Sequence, residues 1–211
     1  MRKEGFPFIL VGLAVAAVGA VGVCRGALGG WALAAPGGAF AAFCAYFFRD
    51  PERPLPEDPA RVFSPGDGKV MTVGREGPGE TVTVRIFLSV FDVHVQRLPC
   101  AGTVEKLHYQ PGKFHMAMEA EARENERSVL TIAVEGRPEK LVVEQIAGFV
   151  ARRILTWVKP GDRAVAGARY GLIQFGSQAA VHLPGSAEAL VKPGDRVVGG
   201  VTPIARWLPP S

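Results

Sequence analysis

The chain has 211 residues, 48% of them apolar and 21% charged, with a net charge of +4. That balance suits one compact domain with an attachment and excludes a disordered or highly charged tail protein. Cys24, Cys44 and Cys100 show no CxxC spacing, which excludes a disulfide framework and a zinc finger or ribbon. The basic excess, 24 Lys and Arg against 20 Asp and Glu, is too mild and too scattered for a nucleic-acid partner.

The first 48 residues read as a membrane anchor. Gly5 to Cys24 carries no charge, nor does Gly26 to Phe48, and a helix of about 20 apolar residues crosses a hydrocarbon core. Spans are expected over 6–23 and 27–48, joined at Arg25 as a tight hairpin. Arg2 and Lys3 precede the first span, and Arg49 and Arg53 follow the second. The positive-inside rule then places both ends, and the rest of the chain, on the cytoplasmic face of the cell membrane. Two competing readings are a cleaved signal peptide and a buried core hairpin. Against the signal peptide, Val23 is large where a small residue is needed before Cys24.

Residues 49–59 (RDPERPLPEDP), with four prolines, read as an extended linker. Residues 60–211 form a mainly β domain. Strands are expected over Thr81–Val90, Thr103–Tyr109, Ser128–Val134 and Lys140–Ile146, and a short helix around Met116–Arg123. Val158-Lys-Pro-Gly-Asp-Arg-Ala-Val-Ala-Gly167 recurs 33 residues later as Val191-Lys-Pro-Gly-Asp-Arg-Val-Val-Gly-Gly200. Pro presets each turn, Gly supplies positive φ and Asp bonds its own backbone. Such corners resemble those of barrel-sandwich hybrid domains.

Three residues stand out chemically, each with a plain alternative. Ser177, in Gln174-Phe-Gly-Ser-Gln178, fits a capping turn and lacks the Gly-x-Ser-x-Gly of a nucleophile elbow. In Phe87–Pro99, alternation predicts that Asp92, His94 and Gln96 share one face of a strand, where a lone His is commonly structural. Asp67, in Ser64-Pro-Gly-Asp-Gly-Lys69, fits an ordinary turn.

Their order along the chain is more informative. Phe47-Phe-Arg-Asp-Pro-Glu-Arg-Pro54, Ser-Pro-Gly-Asp-Gly, Asp-Val-His-Val-Gln-Arg, Asn125-Glu-Arg127, Gln145-Ile-Ala-Gly148, Ala151-Arg-Arg-Ile154 and Phe-Gly-Ser follow one another. This series strongly resembles the short bacterial and archaeal form of phosphatidylserine decarboxylase, over essentially the whole chain.

The resemblance implies a zymogen that cuts itself between Gly176 and Ser177, giving a β chain, 1–176, and an α chain, 177–211. Ser177 would become a pyruvoyl group that forms a Schiff base with the substrate amine, without metal or pyridoxal phosphate. His94 matches the family's acid–base histidine and Asp67 its processing aspartate. Longer relatives carry a second histidine where this chain has Arg97, and a guanidinium is no general base. Arg97 and Asn125 are instead candidate substrate-binding residues. The implied partners are a phospholipid, the membrane and the two chains of one precursor; homo-oligomerisation is left open. The rival activities are decarboxylation of another serine-headed lipid such as archaetidylserine, a membrane Ser-His-Asp hydrolase, and a non-catalytic barrel-sandwich carrier.

Overall fold

The computed structural model describes residues 1–76, 81–113, 115, 124–148, 153–175 and 177–209, and the chain forms two compact units, Met1–Pro51 and Glu52–Ser211.

The first unit is a helical hairpin. Helix α1 (Phe6–Cys24) and helix α2 (Trp31–Phe47) are joined through Arg25, Gly26 at φ 81° and a 3₁₀ turn at Leu28–Gly30. The 19 residues of α1 span about 28 Å, close to the thickness of a hydrocarbon core. Leu10, Val11, Leu13, Val18 and Val21 on α1, and Trp31 and Leu33 on α2, are exposed. A buried core hairpin would hide these side chains, so their exposure favours a lipid surrounding. The two helices meet through small residues. A Cβ on Gly19 would lie 2.2 Å from the Ala34 nitrogen, and one on Gly37 would lie 2.6 Å from that of Ala16. In lipid, such backbone approach supplies the packing that water would otherwise drive. The Arg2 amide donates to the Phe48 carbonyl at 2.9 Å, so both ends of the hairpin lie together.

The second unit is built of antiparallel strands. An eight-stranded sheet holds, in spatial order, β13 (Arg196–Val197), β2 (Gly68–Glu76), β3 (Thr81–Leu88), β11 (Ser177–Leu183), β7 (Lys140–Ala147), β6 (Arg127–Val134), β5 (Gly102–Gln110) and β9 (Arg163–Ala164). One three-stranded sheet is β1 (Arg61–Phe63), β14 (Pro203–Trp207) and β12 (Ala187–Ala189). The other is β4 (Val95–Arg97), β10 (Arg169–Ile173) and β8 (Ile154–Thr156). Alternation along β6 sends Ser128, Leu130, Ile132 and Val134 inward, where Val84, Ile86, Val143 and Val181 join one apolar core.

The order of strands is that of an internal duplication. Exchanging β13 with β9, β2 with β5, β3 with β6 and β11 with β7 maps the large sheet onto itself. The same exchange carries β1-β14-β12 onto β4-β10-β8. Local details repeat as well. The pairing slips between Val70 and Thr72 on β2, and between Val104 and Lys106 on β5. In the two KPGD corners, the Lys159 and Lys192 amides bond the Asp162 and Asp195 carboxylates at 3.0 and 2.9 Å. The Gly161 and Gly194 amides bond the carbonyls of Val104 and Val70. The corners recognised in the sequence therefore mark two whole half-domains. The second, 95–173, is continuous; it is inserted into the first, which resumes at Ser177.

The expected strands over Thr103–Tyr109, Ser128–Val134 and Lys140–Ile146 are present as β5, β6 and β7, and β3 ends at Leu88. Alternation does not continue from Phe87 to Pro99. The Ser89 amide donates to the Asp92 carboxylate at 2.9 Å, which folds the chain into a turn before β4. The helix expected around Met116–Arg123 falls outside the described residues.

Replacing Gly19 by Leu would drive a branched side chain into the Ala34 backbone. The expected result is a hairpin destabilised by about 1–3 kcal/mol, read as a lower melting temperature of the full chain in detergent and faster proteolysis at Arg25.

Candidate active site

The duplication leaves two connections between half-domains, and both cross at one place. In the second half-domain, β6 and β7 are joined directly by a turn at 135–139. In the first, the hairpin β3–β11 is interrupted: the chain leaves after Leu88 and returns at Ser177, which pair with each other. The outgoing connection carries His94 and the returning one carries Ser177. The Ile173 amide donates to the His94 carbonyl at 3.3 Å, four residues before Ser177.

Ser177 starts a strand pinned on both sides, paired with Leu88 of β3 and Ala147 of β7. It is fully buried, and its hydroxyl makes no hydrogen bond among the described residues. A buried hydroxyl without a partner costs about 1–3 kcal/mol. Folding keeps such a group rarely, and a chemical role is one of the reasons it does so.

His94 is also fully buried, and its Nδ1 lies 3.1 Å from the Asp92 carbonyl oxygen. A carbonyl only accepts, so Nδ1 carries the proton of the neutral ring and Nε2 is its base. The Asp92 carboxylate takes no part in this contact. It holds the Ser89 amide and, at 3.0 Å, Arg196. The motif's aspartate thus shapes the turn, and its backbone orients the imidazole.

The other residues singled out by sequence lie around this centre. Asp67 accepts two bonds from Arg53, at 2.7 and 2.8 Å, and one from the Gly199 amide at 2.8 Å. Arg53 also donates to the Gly199 carbonyl, so Arg53 straps the second KPGD corner to the Asp67 turn. Arg97 is buried, and donates to the Gly167 carbonyl at 2.8 Å; its stem fills the space where Gly200 would carry a Cβ. Asn125 is committed to backbone: its amide bonds the His115 and Ala147 carbonyls, and its oxygen accepts from the His115 amide. Through Ala147 it supports the strand beside Ser177. Gly176 and Arg152 fall outside the described residues.

Sequence reasoning missed a pair of buried amide side chains. Among the described residues, Gln96 is fully buried with neither amide atom partnered, and Gln145 accepts from Thr156 at 3.2 Å while its nitrogen has no partner. Gly171 lies in register with Gln96 and Thr156, and a Cβ there would come 2.7 Å from the Gln145 nitrogen. The repeated Gln in two apolar strands was the available signal. Burial pushes the Cys100 thiol up to about 12 and raises the Tyr170 phenol well above its ordinary value, which makes both poor nucleophiles. Among the described residues, no group of three His, Cys, Asp or Glu side chains is placed to hold a metal ion.

On the other face of β11, His182 bridges strands. Its Nδ1 is 2.9 Å from the Thr83 hydroxyl and its Nε2 is 3.1 Å from Glu144, which Arg127 also approaches. Burial pushes the Glu144 carboxyl up. The hydrogen bond and charge of His182, with Arg127 and Arg85, outweigh it and hold the group below the usual range. A carboxyl lowered in the folded state stabilises above its unfolded pKa and loses that contribution as pH falls through the folded value. Glu144→Gln should therefore lower the urea midpoint at pH 7. The gap to wild type should close progressively below about pH 4, as measured on the full chain in detergent.

The phosphatidylserine decarboxylase family profile matches residues 40–205. Phosphatidylserine decarboxylase proenzyme of Symbiobacterium thermophilum is 47% identical, covering 98% of this chain and 95% of its own length. Those of Desulfotalea psychrophila and Granulibacter bethesdensis are 38% and 42% identical, covering 99% and 96% of this chain and 97% and 84% of their own lengths. The chain belongs to the phosphatidylserine decarboxylase family.

Proposed function

We propose that this member of the family is a proenzyme that cuts itself between Gly176 and Ser177 and then decarboxylates phosphatidylserine to phosphatidylethanolamine. The observation that carries this reading is the Ser177 hydroxyl, buried and unpartnered where two connections meet, with His94 on the adjacent strand connection.

Cleavage needs only the chain and one water. The Ser177 oxygen attacks the Gly176 carbonyl, its proton passing to the amide nitrogen as the C–N bond breaks and an ester forms. Loss of the Ser177 α-proton then expels Gly176 as a carboxylate and leaves a Cα–Cβ double bond. Water replaces the nitrogen, which departs as ammonia, and a ketone remains. His94 Nε2 is the base for the early proton transfer. Asp67 supports processing at a distance, by fixing the turn that precedes β2 against Arg53 and Gly199.

The residues fit a pyruvoyl group made in place, since Ser177 is held on both sides and shielded from water. That group supplies a ketone that condenses with an amine and accepts the electron pair of the departing carboxylate. His94 holds the proton that the substrate carbon must regain, and its Asp92 carbonyl contact keeps Nε2 the active nitrogen. Arg97 and Asn125 act from behind the site, by holding the Gly167 corner and the Ala147 strand end.

The small chain, residues 177–211, stays bound after the cut. β11 lies inside the large sheet, β14 lies inside its own sheet, and β13 pairs with β2. A phospholipid substrate suits a chain whose N-terminal helices are apolar outside. Arg2, Lys3 and Arg49 at the joined ends of the hairpin support a cytoplasmic face for the second unit.

Intact mass should resolve a large chain ending at Gly176 and a small chain with a blocked N-terminus, while Ser177→Ala stays a single inactive chain. Uncut, fully active wild type would overturn the reading. Processed His94→Ala protein should release CO2 about 10²–10⁴-fold more slowly; normal release would make the histidine structural.

A further inference from the structure

The returning connection is short and held at both ends. Ile173 pairs with Ile154 in one sheet and its amide donates to His94. The Gln174 amide donates to the Arg153 carbonyl at 3.1 Å. Ser177 is already paired with Leu88 and Ala147 in the other sheet. The chain must therefore pass from one sheet to the next in three residues. Phe175, in the middle, has φ 62°, and it is the non-glycine residue with positive φ among those described.

This conformation is costly for a side chain with a Cβ, and aromatic residues seldom adopt it. Elsewhere the fold assigns positive φ to glycine, as at Gly161, Gly167, Gly194 and Gly200 of the two corners. At the one place where the sequence departs from that habit, the following peptide leads to Ser177. Strain of this kind persists when the surrounding hydrogen bonds over-determine it.

We infer that Phe175 is a positioning residue for self-cleavage, its left-handed backbone storing strain in the uncut chain that breaking the Gly176–Ser177 bond releases. This rests on the self-cleavage proposed above. The strain raises the starting state towards the crowded tetrahedral carbon formed when the Ser177 oxygen attacks. It also makes religation unfavourable, because rejoining the chain would force Phe175 back to positive φ. A glycine at 175 would fit the same path without penalty and forfeit both effects.

The test compares Phe175→Gly with Phe175→Ala in the full chain. Both lose the ring equally, and only alanine keeps the conformational penalty. In a Ser177→Ala background, which cannot cut, the glycine variant should melt higher than the alanine variant. With Ser177 present, the glycine variant should cut more slowly than the alanine variant, on the order of tenfold, measured as the half-life of the uncut band after synthesis. A residue that only packs would move stability and cleavage together, whereas strain moves them in opposite directions. Equal cleavage rates in the two variants, with wild type cutting normally, would overturn the inference and leave the proposed function intact. A wild type that never cuts would instead remove the proposed function itself.

Discussion

The hydrogen bonds that seat β11 between β3 and β7 are the constraint on which the site depends. They fix Ser177 at the first position of an interior strand, while Ile173 is fixed in a different sheet only four residues earlier. Neither end can yield without unpairing a strand. Gln174 leaves the first sheet still bonded to Arg153, and Phe175 follows it at φ 62°. The same pairing explains why a broken backbone need not mean a lost chain. A strand with partners on both sides keeps its ladder when one covalent link to it is cut, and a strand at an open edge would have half as many bonds to hold it.

Internal duplication explains why the site lies where it does. In the uninterrupted half-domain, β6 runs into β7 through a short turn and nothing reactive is found there. In the interrupted one, the insertion of residues 95–173 opens the corresponding turn into two crossing connections. One brings His94 and the other brings Ser177, from positions 83 residues apart in the sequence. Both belong to the interrupted half-domain, on either side of the insertion. The second corner copy is also recruited: the Gly199 amide donates to Asp67, and the Gly199 carbonyl accepts from Arg53. The partly buried, bidentate Arg–carboxylate pair is geometrically specific in a way that scattered surface pairs are not.

Much of this was legible in the sequence, and the limits have physical causes. Strands β5, β6 and β7 announce themselves because one face is core and the other is wet, so period-two alternation survives. The two KPGD corners are legible because each residue type has a fixed backbone task. The alternation read through Asp92 and His94 was misleading, since an Asp three residues after Ser89 can capture its amide and turn the chain. Ser177 and His94 were found through motif order, but not the placing of the two chain segments that carry them. That depends on pairings between residues far apart, such as Leu88 with Ser177, which no local pattern encodes. The strap role of Arg53, in a stretch that reads as a loose proline-rich linker, was hidden for the same reason.

The two faces of β11 divide the labour in a manner that follows from strand geometry. Odd positions from Ser177 to Leu183 face the core, and even positions face His182, Thr83 and Glu144. Ser177 therefore shares its face with the apolar Ala179, Val181 and Leu183, while the cluster of charged side chains is kept on the opposite side of the same backbone. A charge beside Ser177 would be costly to bury and would compete for its hydroxyl. On the far face, Glu144 and Arg127 belong to the part of the chain before Ser177, whereas His182 follows it. The contact between His182 and Glu144 thus bridges the bond that self-cleavage would break. It adds side-chain attachment between the two products exactly across the strand that must not slip, and a one-residue slip would turn Ser177 away from the core. The register that places Ser177 is held from the opposite face of its strand.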